Sequence, residues 1–425
     1  MPDPRRAARW MCTGTLRKIY PVAVLLIAAA ITITPAAQAQ TLSLLHQFSG
    51  PDGYEPQGTL VLDRAGNLYG TTTDGGAGYG TVFKLSHEGS GWVLTTLYKF
   101  SGGADGASPM GPVIFGPDGT LYGMTSAGGA GDGIVFNLRP PAFVCRSISC
   151  PWTETVIHSF SGSDGRDPQY GGLIFDSAGN IYGATAAGGM HCSLGSAGCG
   201  LVFKLTKSNN VWTETVLYFF TGEDDGALPL GGVTLDSAGN LYGTTWMGGA
   251  HSAGTLFELS NTGADWTETT LHSFNASEDG GSPADAPVFD QQGNLYGTTT
   301  VGGGNGGTVF QLQPSGDGWT FNVIYRFGEL GKPYDTPTLD AAGNLYGTTS
   351  EGGVNDTGNV FKLTPGTNGW TYTDLFDFSG DFSNGYAPIA GVTFDSSGNL
   401  YGATALGGNQ ACQDGGCGVV FELIP

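Results

Sequence analysis

Basic side chains are scarce in this sequence. Lys and Arg number 16 against 37 Asp and Glu in 425 residues, a formal net charge of −21. A surface of that sign repels the nucleic-acid backbone and anionic lipid headgroups, so nucleic acid is excluded as a partner. Charged residues of both signs together reach only 12%. Beyond residue 34 there is no apolar run long enough to span a bilayer. Catalytic signatures are absent too: no nucleophile elbow, no HExxH, no P-loop, and no dinucleotide fingerprint in a strand–helix setting. No CxxC is present, and no local His/Cys/Asp/Glu set has the spacing of a metal site, so neither metal nor cofactor is expected.

What is abundant is glycine, at 74 residues, with aromatics at 11%. The glycines follow no three-residue register, which excludes collagen, and a chain this aromatic has much to bury, which argues against disorder. The composition is that of an all-β chain punctuated by turns.

The basic residues that exist cluster at the start. Arg5, Arg6, Arg9, Arg17 and Lys18 precede an apolar stretch at 21–34, followed by the small-x-small triplet Ala37-Gln38-Ala39. This is the pattern of an export signal over residues 1–39, and a secreted or periplasmic product is expected. Cleavage there leaves 11 basic and 36 acidic residues, a net charge near −25. The mature chain keeps six cysteines in three close pairs, Cys145–Cys150, Cys192–Cys199 and Cys412–Cys417. In an exported protein these read as disulfides, each stapling its own loop, and each worth about 2–3 kcal/mol on the chain-entropy model.

One ten-residue phrase, written Asp176-Ser-Ala-Gly-Asn-Ile-Tyr-Gly-Ala-Thr185 in its third copy, recurs seven times, centred on Tyr69, Tyr122, Tyr182, Tyr242, Tyr296, Tyr346 and Tyr401. Such a period belongs to propellers or solenoids. Each repeat divides into four strand-like runs, a to d; in the third they are 172–175, 180–185, 201–205 and 212–220. The Asp-x-x-Gly-Asn between a and b is a tight turn in which Gly takes positive φ and Asp accepts turn N–H groups. The second copy has Gly116 in the Asp place and Asp118 two residues on, so a different closure is expected there. Repeated Asp raises the question of calcium as a cofactor, but no copy supplies the ligand density calcium needs. Tyr in b, Phe in c and Phe at the end of d are read as packing between sheets. Glu154, Glu214 and Glu268, which alternate with Thr in d, are read as a solvated face.

The seventh copy stops after its c run, whereas residues 42–50 read as a d run with nothing before it. The two ends complete one another, as a closed ring requires. The expected fold is therefore a single domain, residues 40–425: an all-β, seven-bladed β-propeller of four-stranded blades, closed by the N-terminal strand pairing with the last blade.

These residues resemble the GloVer (Gloeo/Verruco) tandem repeat, whose mark is D-x-x-G-N-L-Y-G-x-T, then G-G, then G-x-V-F, and the resemblance covers the whole mature chain. It implies an exported bacterial repeat protein and no particular activity. Members often carry a C-terminal anchor or sorting tail; this sequence ends on a c run, which argues against surface anchoring and favours a soluble secreted or periplasmic product, and a monomer is expected.

In a propeller the d–a crossovers and b–c loops share one face. The Asp-Gly-x-x-Pro crossovers and the long Gly-Gly loops belong there, with two of the cysteine pairs. Aromatic rings among carboxylates suit a carbohydrate, the rings stacking on sugar faces and the acids accepting hydroxyl hydrogen bonds. The non-repeating residues Trp246, Tyr170, Asp167, His191 and His251, with Tyr334 and Asp225, are the candidate ligand-binding set. The expected function is binding or scaffolding, with a glycan or envelope component as partner. The alternatives are a propeller glycoside hydrolase or lyase using carboxylates or His on that face, and a structural or adhesive envelope protein.

Overall fold

The computed structural model describes residues 40–425 except 90, 142–151, 190–191, 196, 262, 264, 305, 317 and 413–414. The expected export signal, His191 and the Cys145–Cys150 pair lie outside the described residues. The described residues form 28 strands in seven four-stranded antiparallel sheets, a seven-bladed β-propeller. β1 (Thr41–Gln47) comes first in the chain. Blade 1 is β2 (Val61–Leu62), β3 (Leu68–Thr72), β4 (Thr81–Glu88) and β5 (Gly91–Lys99). Strands β6 to β25 build blades 2 to 6 in the same order, a to d from the axis outward. Blade 7 is β26 (Thr393–Phe394), β27 (Leu400–Thr404) and β28 (Val419–Ile424), and its outer strand is β1. β1 pairs with β28 from Thr41 opposite Ile424 to Gln47 opposite Val419. The expected clasp is therefore present. The a strands are shorter than expected, two residues each.

The repeated phrase builds each blade's inner hairpin. Asp63 shows how. Its carboxylate accepts the N–H groups of Ala65 and Asn67 at 2.8 and 2.9 Å, the Asn67 amide at 2.7 Å and the Tyr69 hydroxyl at 3.1 Å. Gly66 takes φ +82°, which a side chain would resist. In blade 2 the backbone closes in the same way, through Gly116 and Thr120. Only the carboxylate has moved: Asp118 accepts the Thr120 N–H and hydroxyl and the Tyr122 hydroxyl. The expected difference is confined to the side chain.

Seams between blades carry the core. In every seam the Phe ending one d strand meets the c-strand Phe of the next blade at 5.0–5.4 Å between centroids, from Phe100–Phe136 round to Phe378–Phe421. At the closure the contact is Phe48 of the clasp against Phe83 of blade 1. Such pairs contribute about 0.5–1.5 kcal/mol each beyond area burial. Five of the b-strand tyrosines add edge contacts to the Trp of the following blade, including Tyr401 to Trp92 across the closure.

One expectation fails here. Glu154, Glu214 and Glu268 do not face solvent; they are half-buried, and the exposed residues are the neighbouring Thr153, Thr213 and Thr267. Glu shares its side of the strand with Trp, two residues earlier, and that side is covered by the preceding blade.

Candidate functional site

The d–a crossover and the b–c loop of one blade are bridged directly, as in Tyr54 with Asp74, Ala227 with Met247, and Tyr386 with Leu406. They therefore share a face, where they surround the mouth of the central axis. Each crossover reaches the axis through a residue preceding proline. In six blades that residue has positive φ without being glycine: Glu55, Ser108, Asp167, Leu228, Ser282 and Ala387, at 51–59°. Proline ordinarily pushes its predecessor toward extended conformations, so this is a strained solution held by its hydrogen bonds. The Glu55 N–H donates to Cys417 of blade 7 while its carbonyl accepts from Thr73. Asp167 does the same between Asp132 and Ala186. The strained residue stitches neighbouring blades together and presents its side chain at the mouth.

Three residues on comes the innermost position, just before strand a. It is occupied in turn by Gly58, Gly111, Gly171, Gly231, Asp285, Asp335 and Ala390. Small residues fit because each lies against the next blade: a Cβ on Gly58 would meet the Gly111 carbonyl group, and one on Gly231 would run into the Asp285 backbone. The b-strand threonines fasten this ring, Thr244 donating to the Asp285 carbonyl at 2.8 Å and Thr298 to that of Asp335 at 3.1 Å. Two adjacent blades, 5 and 6, break the run of small residues with carboxylates.

Both acids line an axial cavity of about 550 Å³, together with Gln57, Tyr170, Tyr334 and Ile389. The Asp335 carboxylate bridges three blades, accepting from the Thr59 hydroxyl and the Gly391 N–H on one oxygen and from Thr336 N–H at 2.7 Å on the other. Asp285 accepts the N–H groups of Ala286 at 2.8 Å and Thr336 at 3.3 Å. It retains some solvent contact through the cavity although protein surrounds it. Burial first, then the adjacent Asp335 carboxylate, push the Asp285 carboxyl well above the ordinary range. The two carboxyl groups are neighbours, both accepting the Thr336 N–H.

Above them stand the large residues. Trp246 lies nearly parallel to Tyr334, 6.4 Å between centroids and 16° between planes. Trp246 follows strand b, where the other blades have Thr73, Ser126, Ala186, Thr300, Ser350 and Ala405. Tyr170 is an extra residue in the blade 3 crossover. Burial raises its hydroxyl above the ordinary phenol range, and the nearby Tyr334, Asp167 and Glu55 add to the effect. Asp167 is itself raised by burial, less the opposing hydrogen bond from Gln169 at 2.7 Å. Lys332 replaces the strained residue in blade 6 and pairs with Glu351 at 2.8 Å.

Of the residues expected from sequence, Tyr170 and Tyr334 line the cavity, with Trp246 stacked on Tyr334 and Asp167 near Tyr170. His251 is exposed on the b–c loop of blade 4 and does not line the cavity. Asp225 is occupied in shaping its own crossover: its carboxylate accepts Thr221 N–H at 2.8 Å, the Thr221 hydroxyl at 2.6 Å and the Tyr218 hydroxyl at 3.1 Å. Asp52, Asp105, Asp164 and Asp279 play the same part in other blades. At Asp52 burial would raise the carboxyl, but His46 and Ser49 outweigh it and hold it at about 2. Sequence reasoning missed Glu55, Gln57, Asp285, Asp335 and Lys332. Stacking the seven repeats on the residue before strand a exposes the two acids as departures from Gly and Ala.

Cys192–Cys199 and Cys412–Cys417 are disulfides, each with Cα atoms 5.1 Å apart, in the b–c loops of blades 3 and 7. Among the described residues no group of three or more His, Cys, Asp or Glu is placed to hold a metal ion, and no helix is long and apolar enough to cross a membrane.

Ring, clasp and crossover mouth define a seven-bladed propeller with an axial pocket on one face. The chain belongs to the Gloeobacter/Verrucomicrobia repeat family, whose pattern matches residues 30–193, 189–330 and 304–425. No curated protein matches it in sequence. Among solved structures, it is similar to the extracellular domain of a hybrid two-component system from B. thetaiotaomicron, at TM-score 0.54 and 10% identity, covering 91% of this chain and 42% of that one. The chain thus spans under half the length of that neighbour, and the likeness is one of fold. A gluconolactonase from Xanthomonas campestris (TM-score 0.41, 11% identity, 90% and 89% covered) and a protein described as a 6-phosphogluconolactonase from Bacteroides uniformis (0.48, 15%, 91% and 100%) are more distant in shape and carry no argument.

Proposed function

We propose that this is an exported binding propeller that takes a glycan at the crossover mouth. The carrying observation is convergence: Tyr170 and Tyr334 line one cavity beside carboxylates and Trp246 stacks on Tyr334, bulky departures from the repeat on three different blades. A residue kept for blade packing recurs in every blade; these do not. Aromatic faces stack on the apolar faces of sugar rings, and the surrounding oxygens accept hydroxyl hydrogens. Export is supported by the disulfides and by the basic–apolar–small pattern of residues 1–39.

A glycan array with the wild type and Trp246→Ala tests the reading. Binding to at least one glycan class, weakened about tenfold or more by the substitution, is the expected result. Absence of binding to every glycan would overturn it. A hydrolytic reading draws on one observation, the acid pair Asp285 and Asp335. It ranks second because these carboxyls converge on one N–H, that of Thr336, whereas glycosidase acids stand about 5 Å or more apart to admit the sugar bond or a water.

A further inference from the structure

Resting on the glycan reading, we infer that the mouth selects sugars bearing a free, protonated amine, the glucosamine type, over neutral or N-acetylated ones. The first ground is the balance of hydrogen-bonding groups. Glu55, Asp167 and the Asp285–Asp335 pair bring carboxyl oxygens to one mouth. The Gln57 side-chain oxygen, shielded from solvent, has no hydrogen-bond partner among the described residues. An ammonium group offers three donors and no acceptor, and so matches a site with spare acceptors. A hydroxyl asks for a donor as well as an acceptor.

The second ground is that the nearby cations are already committed. Lys332 is held 2.8 Å from Glu351, and Arg166 is 2.8 Å from Asp132. Arg166 lowers the neighbouring Asp167 carboxyl in part, against the larger effect of burial, and among the described residues no ion pair involves Glu55, Asp285 or Asp335. The third is the aromatic wall. The π faces of Trp246, Tyr170 and Tyr334 attract a cation and stack on the ring that carries it, so one ligand satisfies both features. Finally, the acids at 285 and 335 stand where four blades have glycine. Placing paired carboxyls at a crowded axis is unfavourable unless something offsets it, and a bound ammonium supplies a positive partner there. A neutral sugar supplies none. The net charge of −21 draws cationic chains toward the protein at long range.

Isothermal titration of the intact protein with glucosamine, N-acetylglucosamine and glucose tetramers tests this. The amino tetramer should bind about tenfold tighter than either other, and its advantage should shrink as salt is added. Glu55→Gln and Asp167→Asn, which leave the axial ring intact, should each cut that advantage about threefold or more without changing the melting temperature. Asp335→Asn risks the ring itself and is the less informative variant. If the glucose or N-acetylglucosamine tetramer binds as well as the amino tetramer, and Trp246→Ala abolishes it, the amine preference is wrong while the site stands. If no tetramer binds and the glycan array is also blank, the site reading falls with it.

Discussion

Two sets of seams, at one register position, are filled by opposite chemistries. The position is the d-strand residue paired with the c-strand leucine: Glu154, Glu214 and Glu268 in blades 2 to 4, Phe321 and Tyr372 in blades 5 and 6. In blade 5, Phe321 stacks on His272 of blade 4 at 3.7 Å and 3°; in blade 6, Tyr372 stacks on Tyr325 of blade 5 at 4.5 Å and 9°. In the other half the same space holds a carboxyl group. Burial first, then the Asp of the adjoining crossover, raises Glu154 and Glu214 to about 7 each; burial raises Glu268 to about 7 as well, against an opposing hydrogen bond from Thr270 and with a smaller push from Asp225. One oxygen each of Glu154 and Glu214 is buried without a hydrogen-bond partner among the described residues. The lesson is that the backbone repeat sets only the slot. A ring held by seven Phe pairs tolerates a seam that is unfavourable when charged.

The comparison can be broken most severely at the seam the clasp supplies. Removing residues 40–48 deletes β1 and the Phe48–Phe83 contact. The melting temperature should fall by more than about 10 °C, or the cooperative transition should vanish, in a calorimetric scan. If the truncated chain melts like the full one, closure does not depend on β1. Next in size is the contrast between seams. Phe321→Ala should cost about 2–4 kcal/mol in urea unfolding through the lost stack. Glu214→Ala should cost under about 1 kcal/mol, because losing its packing is offset by relief of the unpaired oxygen. Equal losses would mean that the two seams are not different in kind.

The smallest effect is in pH. A carboxyl raised in the folded state binds its proton more tightly there, so between the ordinary range near 4.5 and about 7 the folded protein holds protons the unfolded chain has lost. Its stabilising effect is complete at the low end of that window and is lost as pH rises through it. Asp52, held at about 2, acts oppositely, its contribution being lost as pH falls through the folded value. Stability should therefore peak near about pH 4–5 and decline toward pH 8. These glutamates are half-exposed, so solvent screening limits each to about 1 kcal/mol. Replacing all three by Gln should flatten the upper limb in melts taken across that range; an unchanged slope would place their titration elsewhere.

Blade number, strand register and the clasp were legible because seven copies of one phrase fix the frame, and because the spare d run before the first copy matches the missing one after the last. Cys192–Cys199 and Cys412–Cys417 were legible from spacing alone. Alternation along the d strands correctly separated Thr from Glu but assigned Glu to the wrong side. Periodicity tells which residues share a side, not whether a neighbouring blade covers it. The mouth was half legible. Trp246 and Tyr170 announce themselves by departing from the repeat. Asp285 and Asp335 hide among 37 acidic residues until the position before strand a is compared across blades. Asp225 looked available because sequence cannot tell a carboxylate aimed at its own crossover from one aimed at solvent.

The clasp joins Thr41 to Ile424, nearly the whole length of the described chain. During synthesis blades 1 to 6 can assemble one after another as their residues emerge. Blade 7 cannot, because β1 is made first and its partner β28 last. Until then β1 has no strand to pair with. Ring closure is thus timed by the emergence of β28: a nascent molecule lacking that strand remains an open arc, and only one that has it can lock.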